Sequence, residues 1–340
     1  KEAKGKYIIF IDSDVIPSSN MIKEHLKILT KKENIISQGS LILIPNLEEI
    51  NTKKFNPFTD FSNASFDIYC QRVDAVGYLL GCNFIISNAA NNQRSPNLAY
   101  NSTTNEYLVT WDDNRGGAND VYAQRIDAVG NLVGGDFIIS NAANNQDVPA
   151  IAYNTTANEF LISWHDFRSG NLDIYAQRVN AVCVLVGANF AIATDANTQE
   201  FVSMVYNSTV NEYLLSWRDN RSGTFDIYGQ RLSAVGVLIG ANFTISTAAA
   251  NQEFSHIGYN STTNNYLVVW RDNRSGNFDL YGQRLDATGT LVGGEFIVSV
   301  AVNNQEAPII VRNATTGEYI LVWQDTRSGN FDIYAQRIKF

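Results

Sequence analysis

Fifteen residues of the chain have types and spacing suited to polar chemistry. They form five trios of Trp, Asp and Arg at i, i+2 and i+4: Trp111, Asp113 and Arg115; Trp164, Asp166 and Arg168; Trp217, Asp219 and Arg221; Trp270, Asp272 and Arg274; Trp323, Asp325 and Arg327. An indole offers one N–H donor, a carboxylate only acceptors, and a guanidinium a planar fork of five donors. Such a trio can close on itself, because Arg–carboxylate pairs are strong and directional. It can also present planar polar groups beside an aromatic ring, the combination that recognises sugars. The sequence alone allows both.

A second constellation lies near the start. Residues 6–11 (KYIIFI) read as an apolar strand, and Asp12 and Asp14 follow at its end. Two carboxylates just past a buried strand suit a divalent cation such as Mn or Mg, which completes its shell with water and phosphate oxygens. Strand-end placement keeps both acids on the ligand side of a sheet. Pro17 then breaks the chain, Ser18 or Ser19 can cap, and residues 21–29 carry a helical period. The competing reading makes Asp12 and Asp14 ordinary turn residues.

The elements that must position the trios follow from one number. All five Trp of the chain lie 53 residues apart, and Asp67, Asp120, Asp173, Asp226, Asp279 and Asp332 keep the same period. So do Gln93, Gln146, Gln199, Gln252 and Gln305. A fixed period in this range marks solenoids, propellers or arrays. Within residues 254–299, FSHIGY, NYLVVWRD, DLYGQRLD and FIVS read as four short strands rich in β-branched and aromatic residues. The joints NSTTN, DNRSGN and DATG supply Asn and Gly where positive φ is needed. Four antiparallel strands per repeat predict an all-β fold, a five-bladed β-propeller, preceded by a short α/β segment. The array starts and stops in mid-repeat. Phe58 stands where a Trp is expected, and the strand near residues 84–87 could complete the last blade.

Composition places a boundary near residue 56, giving segments 1–55 and 56–340. Up to residue 56 there are nine Lys, no Arg and seven acids; beyond it there are fifteen Arg, one Lys and 27 acids. The exchange of Lys for Arg suggests joined pieces. The acidic repeat region argues against nucleic acid, whose phosphates need Lys and Arg. No apolar run is long enough to span a membrane as a helix. Cys70, Cys82 and Cys183 form neither a disulfide framework nor a ligand set, although Cys70 and Cys82 could meet across neighbouring strands.

Alternating strand direction puts DNRSGN and the NNQ tract of each blade on one face, and the NSTTNE turns on the other. The first face is the candidate for multivalent binding, since linked weak sites gain from repetition. Carbohydrate or a surface glycoprotein is the favoured partner. Against this, Tyr266, Val268 and Trp270 share one strand face, so the Trp can be packing between blades. Asp272 with Arg274, or Asp279 with Arg284, can be an internal ion pair. DNRSGNFD also resembles a calcium loop, but Arg stands where a ligand is required. Asn101, Asn154, Asn207, Asn260 and Asn313 open N-x-[ST] sequons that turn chemistry alone would produce. A five-bladed glycosidase would use unlike acids around the centre. The singular residues Asp147, Asp195, Glu200, His165 and His256 show no evident partners in the sequence.

Two family resemblances add to this. IDSDVIP after an apolar strand, then a helix and IISQGSLILIP, resembles the middle of a family 2 glycosyltransferase of the GT-A fold. That resemblance implies that Asp12 and Asp14 bind the metal and diphosphate of a nucleotide sugar. The nucleoside-binding half and the acceptor half are both missing around the match, so the expectation is that this chain does not itself transfer sugar. The alternative is a sugar-transfer enzyme using the propeller for recognition. Residues 58–340 are similar to W-x-D-x-R-x-G-x-x-D-I-Y-A-Q-R propeller repeats of secreted or surface-exposed prokaryotic proteins, which implies extracellular or cell-surface placement.

Overall fold

The computed structural model describes residues 7–11, 66–74 and 78–340. Asp12, Asp14 and Phe58 lie outside them. Everything described is strand, turn or loop. The first sheet holds β1 (Tyr7–Ile11), β2 (Ile68–Val73) and β3 (Leu79–Ser87) in that order. Four complete blades follow. The first is β4 (Gln93–Asn101), β5 (Glu106–Asp113), β6 (Asp120–Asp127) and β7 (Leu132–Ser140). The second is β8 (Gln146–Asn154), β9 (Glu159–Asp166), β10 (Asp173–Asn180) and β11 (Leu185–Ala193). The third is β12 (Gln199–Asn207), β13 (Glu212–Asp219), β14 (Asp226–Ser233) and β15 (Leu238–Ser246). The fourth is β16 (Gln252–Asn260), β17 (Asn265–Asp272), β18 (Asp279–Asp286) and β19 (Leu291–Ser299). The fifth has three strands, β20 (Gln305–Arg312), β21 (Tyr319–Asp325) and β22 (Asp332–Ile338).

Each complete blade is a four-stranded antiparallel meander, the propeller unit expected from the 53-residue period. The turn chemistry works as anticipated. Asn105, Asn158, Asn211 and Asn264 hold φ of 50–57° in the first hairpin of successive blades, and Gly317 takes that position in the fifth. Only Gly and, less readily, Asn tolerate this left-handed region well. The sequon asparagines cap the same turns, Asn101, Asn154, Asn207 and Asn260 buried and Asn313 half-buried: Asn207 Oδ1 accepts from the amides of Thr209 (2.9 Å) and Val210 (3.2 Å). Inward-facing amides of this kind are structural.

The core lies between blades. One cluster joins Leu161, Ile174 and Ile192 of the second blade to Val202, Leu215 and Trp217 of the third. Trp111, Trp164, Trp217 and Trp270 are fully buried. Each removes on the order of 200 Å² from water, which makes it the main wedge between its blade and the one before. The inner strands β4, β8, β12, β16 and β20 pack on one another in chain order. The periodic Gln fixes this step: its backbone amide donates at 2.7 Å to a carbonyl just ahead of the third strand of the preceding sheet, that of Phe66, Asn119, Leu172, Phe225 or Phe278.

Two expectations about the ends change. β3 pairs with β2, and the only sheet neighbour of β22 among the described residues is β21, so β3 does not complete the last blade here. The place beside β2 that a Trp-bearing strand holds elsewhere is taken by β1, with Ile11 opposite Tyr69. Cys70 and Cys82 do not meet: Cys70 is buried opposite Phe84, Cys82 is exposed, and all three cysteines are free.

Candidate functional site: the loop-bearing face and its inner pairs

Register brings the loops together as the sequence suggested. Gln199 faces Asp219, and Asp219 faces Asp226, so the start of strand one, the end of strand two and the start of strand three share one end of the blade. The loops are cross-tied there. Asn92, Thr198 and Asn251 donate backbone amides to Asn114, Asn220 and Asn273 side chains at 2.7–2.8 Å.

On this face each Trp–Asp–Arg trio closes on itself. In the third blade Trp217 Nε1 donates to Asp219 Oδ2 at 3.1 Å, and Arg221 donates its backbone amide (3.0 Å), Nε (2.9 Å) and Nη2 (2.5 Å) to the same carboxylate. The other four blades repeat the indole and guanidinium bonds. Each guanidinium also lies over the tyrosine ring of the following strand, its Cζ 4.0–4.1 Å from the ring centroid: Tyr122, Tyr175, Tyr228, Tyr281 or Tyr334. Asp113, Asp166, Asp219, Asp272 and Asp325 have no exposed surface. The Trp and Asp of each trio therefore form an internal clamp and offer no surface to a ligand. The arginine does: Arg115, Arg168, Arg221, Arg274 and Arg327 keep 23–32% of their side chains exposed. Its outer nitrogens reach a fourth-strand or loop group that differs by blade: Asp136 (2.7 Å), Asn189 (3.0 Å), Asp195 (2.6 Å) and Asn242 (3.1 Å), or Glu295 (2.8 Å). Asp195 thus finds its partner in Arg221. The suggested pair of Asp279 with Arg284 does not form. Asp279 accepts from Ser275, and Arg284 stacks on Phe340.

At the inner rim of the same face lies a feature that recurrence in the sequence does not reveal. The residue after the periodic Gln and the residue after the Trp are cross-strand partners, and they change from blade to blade. The pairs are Arg94 with Asp112, Asp147 with His165, Glu200 with Arg218, Glu253 with Arg271 and Glu306 with Gln324. In four of these pairs the second member reaches the next blade. Asp112 Oδ1 accepts from Val148 N (3.3 Å), and His165 Nδ1 accepts from Phe201 N (3.4 Å). Arg218 bridges Glu200 (2.8 Å) and Glu253 (3.2 Å), and Arg271 bridges Glu253 and Glu306 (3.0 Å). Both arginines lie against phenylalanine faces, Arg218 at 4.5 Å from Phe201 and 4.4 Å from Phe225, Arg271 at 4.3 Å from Phe254 and 4.1 Å from Phe278.

Burial tunes two of these groups. It pushes the Asp112 carboxyl up to about 6, against the pull of its Ser95 and Val148 hydrogen bonds. It pushes His165 down to about 4, with the Arg218 cation adding to the effect. His165 is thus a buried neutral imidazole with its Nε2 3.9 Å from Asp147 Oδ2. Beside every pair the inner strand bulges, and the next residue takes positive φ: Ser95 (52°), Val148 (51°), Phe201 (55°), Phe254 (52°) and Ala307 (48°). Val and Phe resist that conformation, so the surrounding rim must hold it, and strain of this sort gathers at functional sites.

No protein-family model matches the chain, and no curated protein matches it in sequence. Solved structures do match in fold. A protein of unknown function from Dyadobacter fermentans DSM 18053 aligns at a TM-score of 0.59, with 11% identity over 80% of this chain and 83% of that one. An endo-arabinase from Bacteroides thetaiotaomicron VPI-5482 aligns at 0.48, with 11% identity over 73% of this chain and 94% of the other. A thermostable family-43 glycoside hydrolase aligns at 0.47, with 12% identity over 73% and 90%. At such identities the likeness is one of fold, and the fold is that of a β-propeller.

Proposed function

We propose that the chain is a non-catalytic binding propeller that takes carbohydrate on its loop-bearing face, in an extracellular or cell-surface setting. The observation that carries this reading is the five-fold array of guanidiniums. Each is locked by a buried carboxylate and a tyrosine face, so its exposed edge is already oriented before a ligand arrives. Pre-ordered donors lower the entropy lost on binding, and five linked copies raise the effective concentration of weak sites. The flanking Asp, Asn and Glu groups add acceptors within reach of a hydroxyl pair. Trp and Asp of the trios act as the mount and the Arg as the contact.

The test is a glycan-array screen of the chain beside a variant with Arg115, Arg168, Arg221, Arg274 and Arg327 all changed to Lys. Lysine keeps the charge but loses the planar fork. Specific glycan binding that drops at least tenfold in the still-folded variant supports the reading. Absence of binding by the parent chain, or equal binding by both, overturns it.

A further inference from the structure

The second blade departs from the others at one position of the loop-bearing face. The residue between the Asp and the Arg of each trio is Asn114, Asn220, Asn273 or Thr326 in four blades and Phe167 in the second. In those four it is half-buried and ties two loops together. Its side-chain oxygen accepts the backbone amide of Asn92 (2.7 Å), Thr198 (2.8 Å), Asn251 (2.8 Å) or Asn304 (3.0 Å). A phenyl ring has no oxygen to offer. Phe167 instead stands 42% exposed, and Asn145, whose amide would have been held, is exposed where its four counterparts are half-buried. The exchange gives up a hydrogen bond and leaves apolar surface in water, so the stability of the blade does not account for it.

A single exposed apolar residue is ordinary, but this one has polar company. Asn144 donates Nδ2 to the Phe167 carbonyl (3.4 Å), and Asn145 accepts through Oδ1 from the Asn119 amide (3.2 Å). The Asn144 oxygen and the Asn145 nitrogen, both on exposed residues, then have no partner among the described residues. Arg168 follows Phe167 in the chain with 23% of its side chain exposed. Its outer bond goes to the neutral Asn189 (3.0 Å), whereas Arg115, Arg221 and Arg274 reach Asp136, Asp195 and Glu295. The outer edge of this guanidinium is therefore not claimed by a second carboxylate.

We propose that Phe167 is the stacking residue of a pyranose subsite on the second blade, with Asn144, Asn145 and Arg168 taking the hydroxyls at the sugar's edge. This rests on the carbohydrate reading above and narrows it to a hexopyranose with one continuous C–H face. The negative face of an aromatic ring attracts such weakly positive hydrogens. A furanose ring, smaller and puckered, lacks a face of that kind.

The probes are methyl β-glucopyranoside, methyl β-galactopyranoside and methyl β-ribofuranoside, each titrated into the full chain and read by saturation-transfer NMR. Transfer to at least one pyranoside is expected, strongest at the C–H protons of a single face, with less to the furanoside. Phe167→Asn installs the residue that three other blades carry. It should weaken the pyranoside about fivefold to tenfold, the scale of a lost aromatic contact, and leave the thermal unfolding midpoint equal or higher. Phe167→Trp should keep the binding, and Phe167→Leu, apolar without an aromatic face, should lose it as Phe167→Asn does. No transfer to either pyranoside, equal affinity of parent and Phe167→Asn, or binding kept by Phe167→Leu overturns the proposal. Unfolding of Phe167→Asn would make Phe167 a structural residue and overturn it too. The broader reading fails separately: a glycan array that binds parent and Phe167→Asn alike removes only this subsite, whereas an array without binding by the parent removes both.

Discussion

Two rings of side chains share the loop-bearing face and were built by opposite rules. The outer ring, the Trp–Asp–Arg–Tyr clamp, is the same in every blade, with the guanidinium 4.0–4.1 Å from its tyrosine each time. The inner ring occupies equally regular backbone positions but carries Arg94–Asp112, Asp147–His165, Glu200–Arg218, Glu253–Arg271 and Glu306–Gln324. Copying a repeat preserves whatever the blade needs to stand up. Positions that drift while everything beside them is copied are those where the blade tolerates several solutions. The outer ring therefore carries stability and, on the proposed function, the repeated contact, and the inner ring carries the individuality of the molecule.

That division can be broken first at the clamp. Asp219→Ala leaves the Trp217 N–H and the Arg221 guanidinium without their shared acceptor. Losing one partner of a buried charged set costs about 3–5 kcal/mol. Urea denaturation should show that loss, with the same size for Asp166→Ala. A loss below about 1 kcal/mol would mean that the clamp is dispensable and that its repetition needs another reason.

The next effects come from titration at the inner ring, where Asp112 and His165 act in opposite senses. Folded His165 stays neutral down to about 4, below its ordinary 6.5, so between those values the unfolded chain binds a proton that the folded one refuses. Stability from this residue is full above pH 6.5 and is lost as pH falls toward 4. The loss is roughly 3 kcal/mol, since each tenfold difference in proton affinity between the two states is worth about 1.4 kcal/mol. Asp112 holds a proton up to about 6, against 3.8 when unfolded, so its burial costs stability as pH rises through that window. In the parent chain the two slopes oppose each other. His165→Asn should remove the acid-side loss, so that its stability relative to the parent improves from pH 7 to pH 4. Asp112→Asn should do the reverse, gaining roughly 2–3 kcal/mol relative to the parent at pH 7 and little at pH 4. Denaturation of both variants at the two pH values reads the signs directly.

A smaller effect separates backbone demand from side-chain demand. Asn105 sits exposed at φ 57° and accepts a hydrogen bond from Tyr100 Oη at 2.8 Å. Asn105→Ala should lose about 1 kcal/mol in the same denaturation assay, because the side chain and the left-handed tolerance go together. Asn105→Gly should lose less, as Gly317 already serves the same turn in the fifth blade.

These positions also show how far the sequence can be read. The 53-residue spacing of the Trp fixes the blade, alternation fixes the strands, and Asn in the turns predicts φ because few residues bear it. The clamp is legible in its parts, but whether Asp219 faces solvent or Trp217 is not, since burial depends on the neighbouring blade. The inner ring escapes a reading guided by recurrence, because these positions do not recur. A signal is present all the same: residues eighteen apart across the first hairpin, such as Glu200 and Arg218 or Arg94 and Asp112, have opposite charges. Asp147 and Glu200 look solitary in the sequence only because their partners lie one strand away. Positive φ at Val148 and Phe201 is not legible, because those residue types argue against it.

The smallest stability effect tests the division most sharply. Replacing the third-blade pair by that of the second, Glu200→Asp with Arg218→His, changes charge and shape at the rim but touches no clamp residue. Arg218 lies between Glu200 and Glu253, yet Glu253 keeps Arg271 as a partner. The exchanged pair is one the same backbone already supports in the adjacent blade, so the change in stability should stay within about 1 kcal/mol, near the range of substitutions outside the core. Its effect should appear in ligand preference: on a glycan array the exchange should reorder which glycans bind, whereas the arginine-to-lysine variant of the outer ring should weaken all of them together. Unfolding of the exchanged protein would assign the inner pairs to architecture. An unchanged binding profile would assign selection to the outer ring alone.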